Sequence, residues 1–151
     1  MTLSEQAGIE LVQQLRAASQ LMQAWVTSSW QHDETGLHPA SAMLLSDLVV
    51  NGESRPSELA KRKMVDVSVI SRQIAQLVAA GLVERRPAPE DGRAALVRAS
   101  EEGLTVLKRW REKHLEFVRA ALNDWSEAEV TALTSRLGSM NDALRRTIGE
   151  K

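Results

Sequence analysis

The chain has 151 residues, 43% hydrophobic and 26% charged, which excludes a disordered polymer and leaves enough length to bury a core. It contains no cysteine, which excludes disulfides, thiol catalysis, cysteine redox sensing and cysteine-ligated zinc. The net charge of −1 conceals an asymmetry: residues 51–100 carry nine Lys/Arg against six acids, whereas the remainder carries ten against fourteen, so a modest basic segment sits in an acidic frame.

The first predicted element is a helix from about Ser4 to Ser29. Leu11, Leu15, Ala18, Met22 and Trp25 recur at spacings of 4, 3, 4 and 3, and Val12 and Val26 widen the stripe. The polar stretch SSWQHDETGLHP breaks the pattern. Pro39 suits the first turn of a second helix over 38–51, where its missing N–H costs nothing, and Gly52 can end it in a left-handed conformation. Ser54 is the expected N-cap of a short third helix, with Pro56 in its first turn and Leu59 and Ala60 as apolar contacts. Asp66 caps a fourth helix, over about 66–80, whose expected buried stripe is Val67, Ile70, Ile74, Leu77 and Val78, and Gly81 ends it.

The character then changes. Leu82–Arg86 and Ala94–Ala99 are short strand-like runs around Pro87, Ala88, Pro89, Glu90, Asp91, Gly92 and Arg93, and together read as a β-hairpin over 82–99. Ser100 caps the next helix, with Glu101 and Glu102 facing its N-terminal dipole, and Leu104, Leu107, Trp110, Phe117 and Val118 carry it to about Leu122. Ser126 and Glu129 form a capping box for the last helix, where Val130, Leu133, Leu137, Met140, Leu144 and Ile148 line one side. The expected fold is therefore mainly α with a small β-hairpin: a winged helix–turn–helix flanked at both ends by helices.

No apolar run approaches the ~18 residues of a membrane span. The N-terminus MTLSEQAGIE lacks the basic-then-apolar order of a signal peptide, so a cytoplasmic location is expected. Gly-x-Ser-x-Gly, a glycine-rich phosphate loop and His-Glu-x-x-His are all missing, so no catalytic residue is assigned, the chain is not read as an enzyme, and no cofactor is implied. His32, His38 and His114, with Asp33 and Glu34, match no ligand spacing and read as surface residues, not a metal site.

Function concentrates between residues 54 and 103. The short link Arg62, Lys63, Met64, Val65 lets two helices cross steeply and frees the second to enter a major groove. With its apolar stripe inward, the fourth helix turns Ser68, Ser71, Arg72, Ala75 and Gln76 outward, with Gln73 on the flank. Small hydroxyls allow close approach, and an arginine can grip guanine or phosphate. The hairpin adds Arg85, Arg86 and Arg93; the first two alternate across the strand, so one of them faces the duplex.

Ser57-Glu58-Leu59-Ala60, Val65-Asp66-Val67-Ser68-Val69-Ile70-Ser71-Arg72 and Gly81-Leu82-Val83-Glu84-Arg85, in that order, resemble the helix–turn–helix of MarR-family regulators. Pro89-Glu90-Asp91-Gly92-Arg93-Ala94, then Val97 and Ser100-Glu101-Glu102-Gly103, is similar to that family's aspartate–arginine wing. Two departures stand out: Arg55 occupies a position where the family often has a Thr or Ser cap, and Ala99-Ser100 replaces the usual Leu-Thr. The resemblance implies a homodimer, with residues 1–35 and 104–151 as the dimerisation region and 36–103 as the DNA-binding domain. It implies DNA contacts at Arg55, Ser57, Ser68, Ser71, Arg72, Gln73, Gln76, Arg85, Arg86, Asp91 and Arg93, with Asp91 bracing Arg93 for the minor groove. It further implies a repressor on a pseudopalindromic operator, with recognition helices roughly 10 bp apart. A small aromatic or phenolic effector would bind between the two regions, near Met22, Trp25, Trp30, His38, Met43 and Trp110. By residue type alone those tryptophans read as core or interface residues before ligand platforms. Two alternatives stay open: an effector-independent or architectural DNA-binding protein, and a winged-helix module that binds proteins.

Overall fold

The computed structural model describes residues 2–30, 38–88 and 95–149, with Trp30 by its backbone alone. In chain order these are α1 (Glu5–Trp30), α2 (Pro39–Asn51), α3 (Pro56–Lys63), α4 (Val67–Ala79), β1 (Val83–Pro87), β2 (Ala95–Ala99), α5 (Glu101–Ala121) and α6 (Glu127–Gly149). The expected fold, mainly helical with one small antiparallel hairpin, is the one observed. Among the described residues no helix is long and apolar enough to cross a membrane. The chain divides into two compact units, residues 1–109 and 110–151.

The first unit is organised around a core that no single element could build. Leu44, Leu45 and Leu48 of α2, Leu59 of α3 and Ile70, Ile74 and Leu77 of α4 are all buried. Leu82, Val83 and Val97 bring the hairpin into the same core, and Val106 and Leu107 are buried on the first turns of α5. α2 begins at a proline, with His38 Nδ1 accepting the Ala40 N–H at 3.2 Å. It ends at Gly52, whose φ of +82° and ψ of −175° lie in a glycine-only extended region, not the left-handed helical one expected.

The hairpin pairs Val83 with Ala99 through to Pro87 with Ala95. Strand β1 therefore reaches one residue further than expected and takes in Pro87. An edge strand tolerates this proline because its missing N–H withdraws nothing from a neighbour on the open side. The other side of β2 is held by Ser54, whose N–H and C=O exchange bonds of 3.0 and 2.9 Å with Val97.

That pairing corrects the expected cap of α3. Ser54 is buried, and its hydroxyl donates to the Gly52 carbonyl at 2.9 Å while accepting from Arg62 at 2.8 Å. Arg55 takes the cap position instead, its N–H donating to Glu58 Oε2 at 3.4 Å. At the far side of the hairpin Ser100 does cap as expected: its Oγ accepts the Gly103 N–H at 3.0 Å and donates to the Gly81 carbonyl at 2.6 Å. Gly103 is buried where α5 meets the backbone of Leu82, and a Cβ there would lie 2.2 Å from the Leu82 oxygen. Only glycine allows that approach.

The second unit comprises the rest of α5 and α6. The expected capping box is formed: the Ser126 N–H donates to Glu129 Oε2 at 2.7 Å, and the Glu129 N–H donates to Ser126 Oγ at 3.2 Å. The Ser126 backbone N–H, followed by the Ser126 side chain, holds the Glu129 carboxyl below its usual range. None of the residues of α6 is buried, and Leu133, Leu137, Leu144 and Ile148 are 39–57% exposed. On α1, in the first unit, Leu11, Val12 and Met22 are 41–45% exposed.

Candidate nucleic-acid interface

The pair α3 and α4 packs through Leu59 and Ala60 on one helix and Ile70, Ile74 and Leu77 on the other. Between them the chain reverses in three residues. Met64 adopts a left-handed conformation (φ 56°, ψ 41°), and the Val65 N–H returns to the Ala60 carbonyl at 3.1 Å. Asp66 then opens α4. Its Oδ1 accepts the Ser68 N–H at 2.8 Å, and its carbonyl receives the N–H groups of Val69 and Ile70. The Ser68 side chain, followed by its backbone, holds the Asp66 carboxyl below the usual range.

The outward face of α4 carries the expected residues. Ser68, Ser71, Arg72, Ala75 and Gln76 are exposed, and Gln73 is half-buried on the flank. Arg72 has no ion-pair or hydrogen-bond partner among the described residues. Gln76 is partly committed: its Oε1 accepts from the Ser41 hydroxyl at 3.0 Å, and Ser41 is wholly buried on α2. On α3, Ser57 is exposed, and Arg55 is half-buried at the cap position. Two stripe residues depart from expectation. Val78 is only half-buried. Val67 is 47% exposed, because at the first position of α4 it precedes the turn that packs on α2 and α3.

The hairpin sorts its arginines by pairing. Arg86 grips Glu53 with two nitrogens, Nε on Oε1 and Nη2 on Oε2 at 2.8 Å. Each partner stabilises the other's charged form, lowering the Glu53 pKa and raising that of Arg86. Arg98 Nε lies 3.1 Å from Glu84 Oε2 across the strands. Arg85 is exposed and without such a partner among the described residues, so it is the member of the Arg85–Arg86 pair left open to an external anion. Asp91 and Arg93 lie outside the described residues.

A second cluster went unread in the sequence. Arg62 Nη2 lies 2.7 Å from Asp47 Oδ1 and 2.8 Å from Ser54 Oγ, joining the end of α3 to α2 and to the segment paired with β2. Lys63 Nζ stands 3.9 Å from the other Asp47 oxygen. Its only signal in the sequence was an acid within an apolar helix, and nothing local named its partner.

The expected effector residues are dispersed in character. Met22 is 41% and Met43 63% exposed, Trp25 is half-buried, and His38 serves as the cap of α2. Trp110 is buried and belongs to the second unit. The side chain of Trp30 lies outside the described residues.

A helix–turn–helix followed by a hairpin, with hydroxyls and an uncommitted arginine on the second helix, defines a winged-helix transcriptional regulator. The model of the MarR family matches residues 35–94. An HTH-type regulator of Bacillus subtilis, YxaD, is 36% identical over 107 residues, 71% of this chain and 75% of its own length. The chain belongs to the MarR family. The HTH-type transcriptional repressor IacR of Pseudomonas putida is 34% identical over 87 residues, 58% of this chain and 52% of its own. The structure of a mutant E. coli MarR complexed with operator DNA superposes with a TM-score of 0.72 at 22% identity, covering 87% of this chain and 94% of that one.

Proposed function

We propose that this regulator is a ligand-responsive repressor that binds a pseudopalindromic operator as a homodimer. The observation that carries the DNA contacts is the contrast among its arginines. Arg62, Arg86 and Arg98 are spent on internal carboxylates, whereas Arg72 on α4 and Arg85 on β1 are not paired among the described residues. Arg72, with Ser68 and Ser71 beside it, is the base-reading element; Arg85 and the wing's Arg93 supply phosphate or minor-groove contacts. Gln73, Gln76, Ser57 and Arg55 flank that surface, and Asp91 braces Arg93.

Residues 36–103 are the reading head in this account, and 1–35 with 104–151 the dimerisation region. The exposed leucines of α6 and the exposed stripe of α1 support a dimer, since isolated helices this apolar rarely stand without a partner. The name of the relative IacR supports repression. Response to a small aromatic effector, through Met22, Trp25, Trp30, His38, Met43 and Trp110, rests on family likeness, and the cytoplasm is the proposed compartment.

The test is titration of the purified chain against DNA from its own upstream region at several salt concentrations. Nanomolar, salt-steep binding to one pseudopalindrome supports the reading, and supplies the assay in which phenolic compounds should release the DNA. Weak binding that is blind to sequence would overturn it in favour of a protein-binding module.

A further inference from the structure

Three exposed apolar side chains crowd into four positions where the turn enters α4: Met64 (57% exposed), Val65 (43%) and Val67 (47%). Their exposed neighbours along the chain are polar, namely Lys61 and Arg62 on one side, Asp66 between, and Ser68, Ser71 and Arg72 on the other. Valine is not a favoured residue for an exposed helix start, where propensity and solubility both prefer polar groups. The patch is continuous with the proposed DNA-reading face, where the exposed cations Lys61 and Arg72 flank it and the one acid within it, Asp66, is committed to capping α4. Its occupant should therefore be an apolar group carried by an anionic partner.

The start of α4 is itself a poor phosphate site. The Ser68, Val69 and Ile70 N–H groups are all taken by Asp66, whose carboxylate sits where an anion would otherwise bind. What this first turn offers a groove is a β-branched apolar surface between hydroxyls. The major groove carries one apolar group on its base edges, the C5-methyl of thymine. We infer that Val67 packs its isopropyl group against a thymine methyl in each half-site, making it a specificity-determining residue of the operator contact. The inference rests on the reading of α4 as the recognition helix.

The test begins by selecting the preferred duplex from a random pool with the full-length chain, then replacing each thymine singly by deoxyuridine, which removes only the methyl. The wild-type chain is expected to lose about fourfold in affinity at one thymine per half-site, the value of one buried methyl group. Val67→Ala should lose that discrimination, binding the thymine and deoxyuridine duplexes equally and the latter as tightly as wild type does. Val50→Ala, a control that removes the same atoms from a more exposed valine on α2 (71% against 47%), should retain it. If no thymine is sensitive, or if sensitivity persists in Val67→Ala, the inference falls while the DNA-binding reading stands. If selection enriches no sequence at all, the DNA-binding reading fails and takes this inference with it.

Discussion

Arg62 closes on Asp47 with two nitrogens converging on one oxygen, Nε at 3.1 Å and Nη2 at 2.7 Å from Oδ1. The contact joins the end of α3 to the middle of α2, and Ser54 completes it from the segment that pairs with β2. Burial pushes the Asp47 carboxyl up, but the Arg62 guanidinium, Lys63 and Asn51 together outweigh it and hold the pKa below the ordinary value.

The first prediction follows from that sign. A carboxyl whose pKa is depressed by folding contributes stability above its unfolded value and loses it as pH falls through the folded one. Asp47→Asn should therefore destabilise the chain by about 2 kcal/mol at neutral pH, the scale of a hydrogen bond to a charged group. Chemical denaturation of both proteins from pH 7 downward checks this: the gap should narrow below the normal aspartate range. A gap independent of pH would show that the carboxylate's charge contributes nothing.

Gly103→Ala should be far more damaging than its one added methyl suggests. The new carbon would stand 2.2 Å from the Leu82 oxygen and 3.2 Å from Leu45 Cδ1, and the first of these is backbone that the Ser100 N–H already holds at 2.9 Å. Separation of α5 from the hairpin base should cost at least about 3 kcal/mol, above the usual range for overpacking. A thermal or denaturant melt reads this directly; a change within about 0.5 kcal/mol would contradict the close approach.

Gly138→Ala should have the opposite sign. A Cβ at this position in α6 meets nothing within 4 Å, and the residue lies off the stripe of Leu133, Leu137, Leu144 and Ile148. Replacing a helical glycine should stabilise the chain by about 0.5–1 kcal/mol. If the proposed dimer uses that stripe, sedimentation should show unchanged association. Weakened association would place Gly138 inside the interface.

The hairpin arginines should separate by their pairing. Arg85→Ala is expected to weaken operator binding and to lower the slope of log affinity against log salt by about one. Arg86→Ala should leave that slope unchanged, because its guanidinium already neutralises Glu53. Arg93→Ala should behave as Arg85→Ala does, with the dimer intact. Fluorescence-anisotropy titrations at several salt concentrations distinguish the three, and equal slopes for Arg85→Ala and wild type would remove Arg85 from the interface.

What the amino-acid order determined by itself was whatever is local. Asp66 and Ser126 cap the helices they precede because donor and acceptor lie within three residues, and the stripe of Ile70, Ile74 and Leu77 is written in helical period. The hairpin was legible from its turn residues, and the bounds of β1 shifted by only one position. The tertiary structure decided which polar groups remain free. Ser54 has the chemistry of a cap, yet pairing with Val97 buries it and gives its hydroxyl to Gly52 and Arg62. Arg85 and Arg86 are indistinguishable by type, and only Glu53, 33 residues away, selects between them. Gln76 meets Ser41 across 35 residues, and Val67 leaves the core because no element among the described residues buries the start of its helix. Local bonds follow from spacing along the chain, whereas a long-range pair exists only once packing has brought its two partners within 3 Å or so of each other.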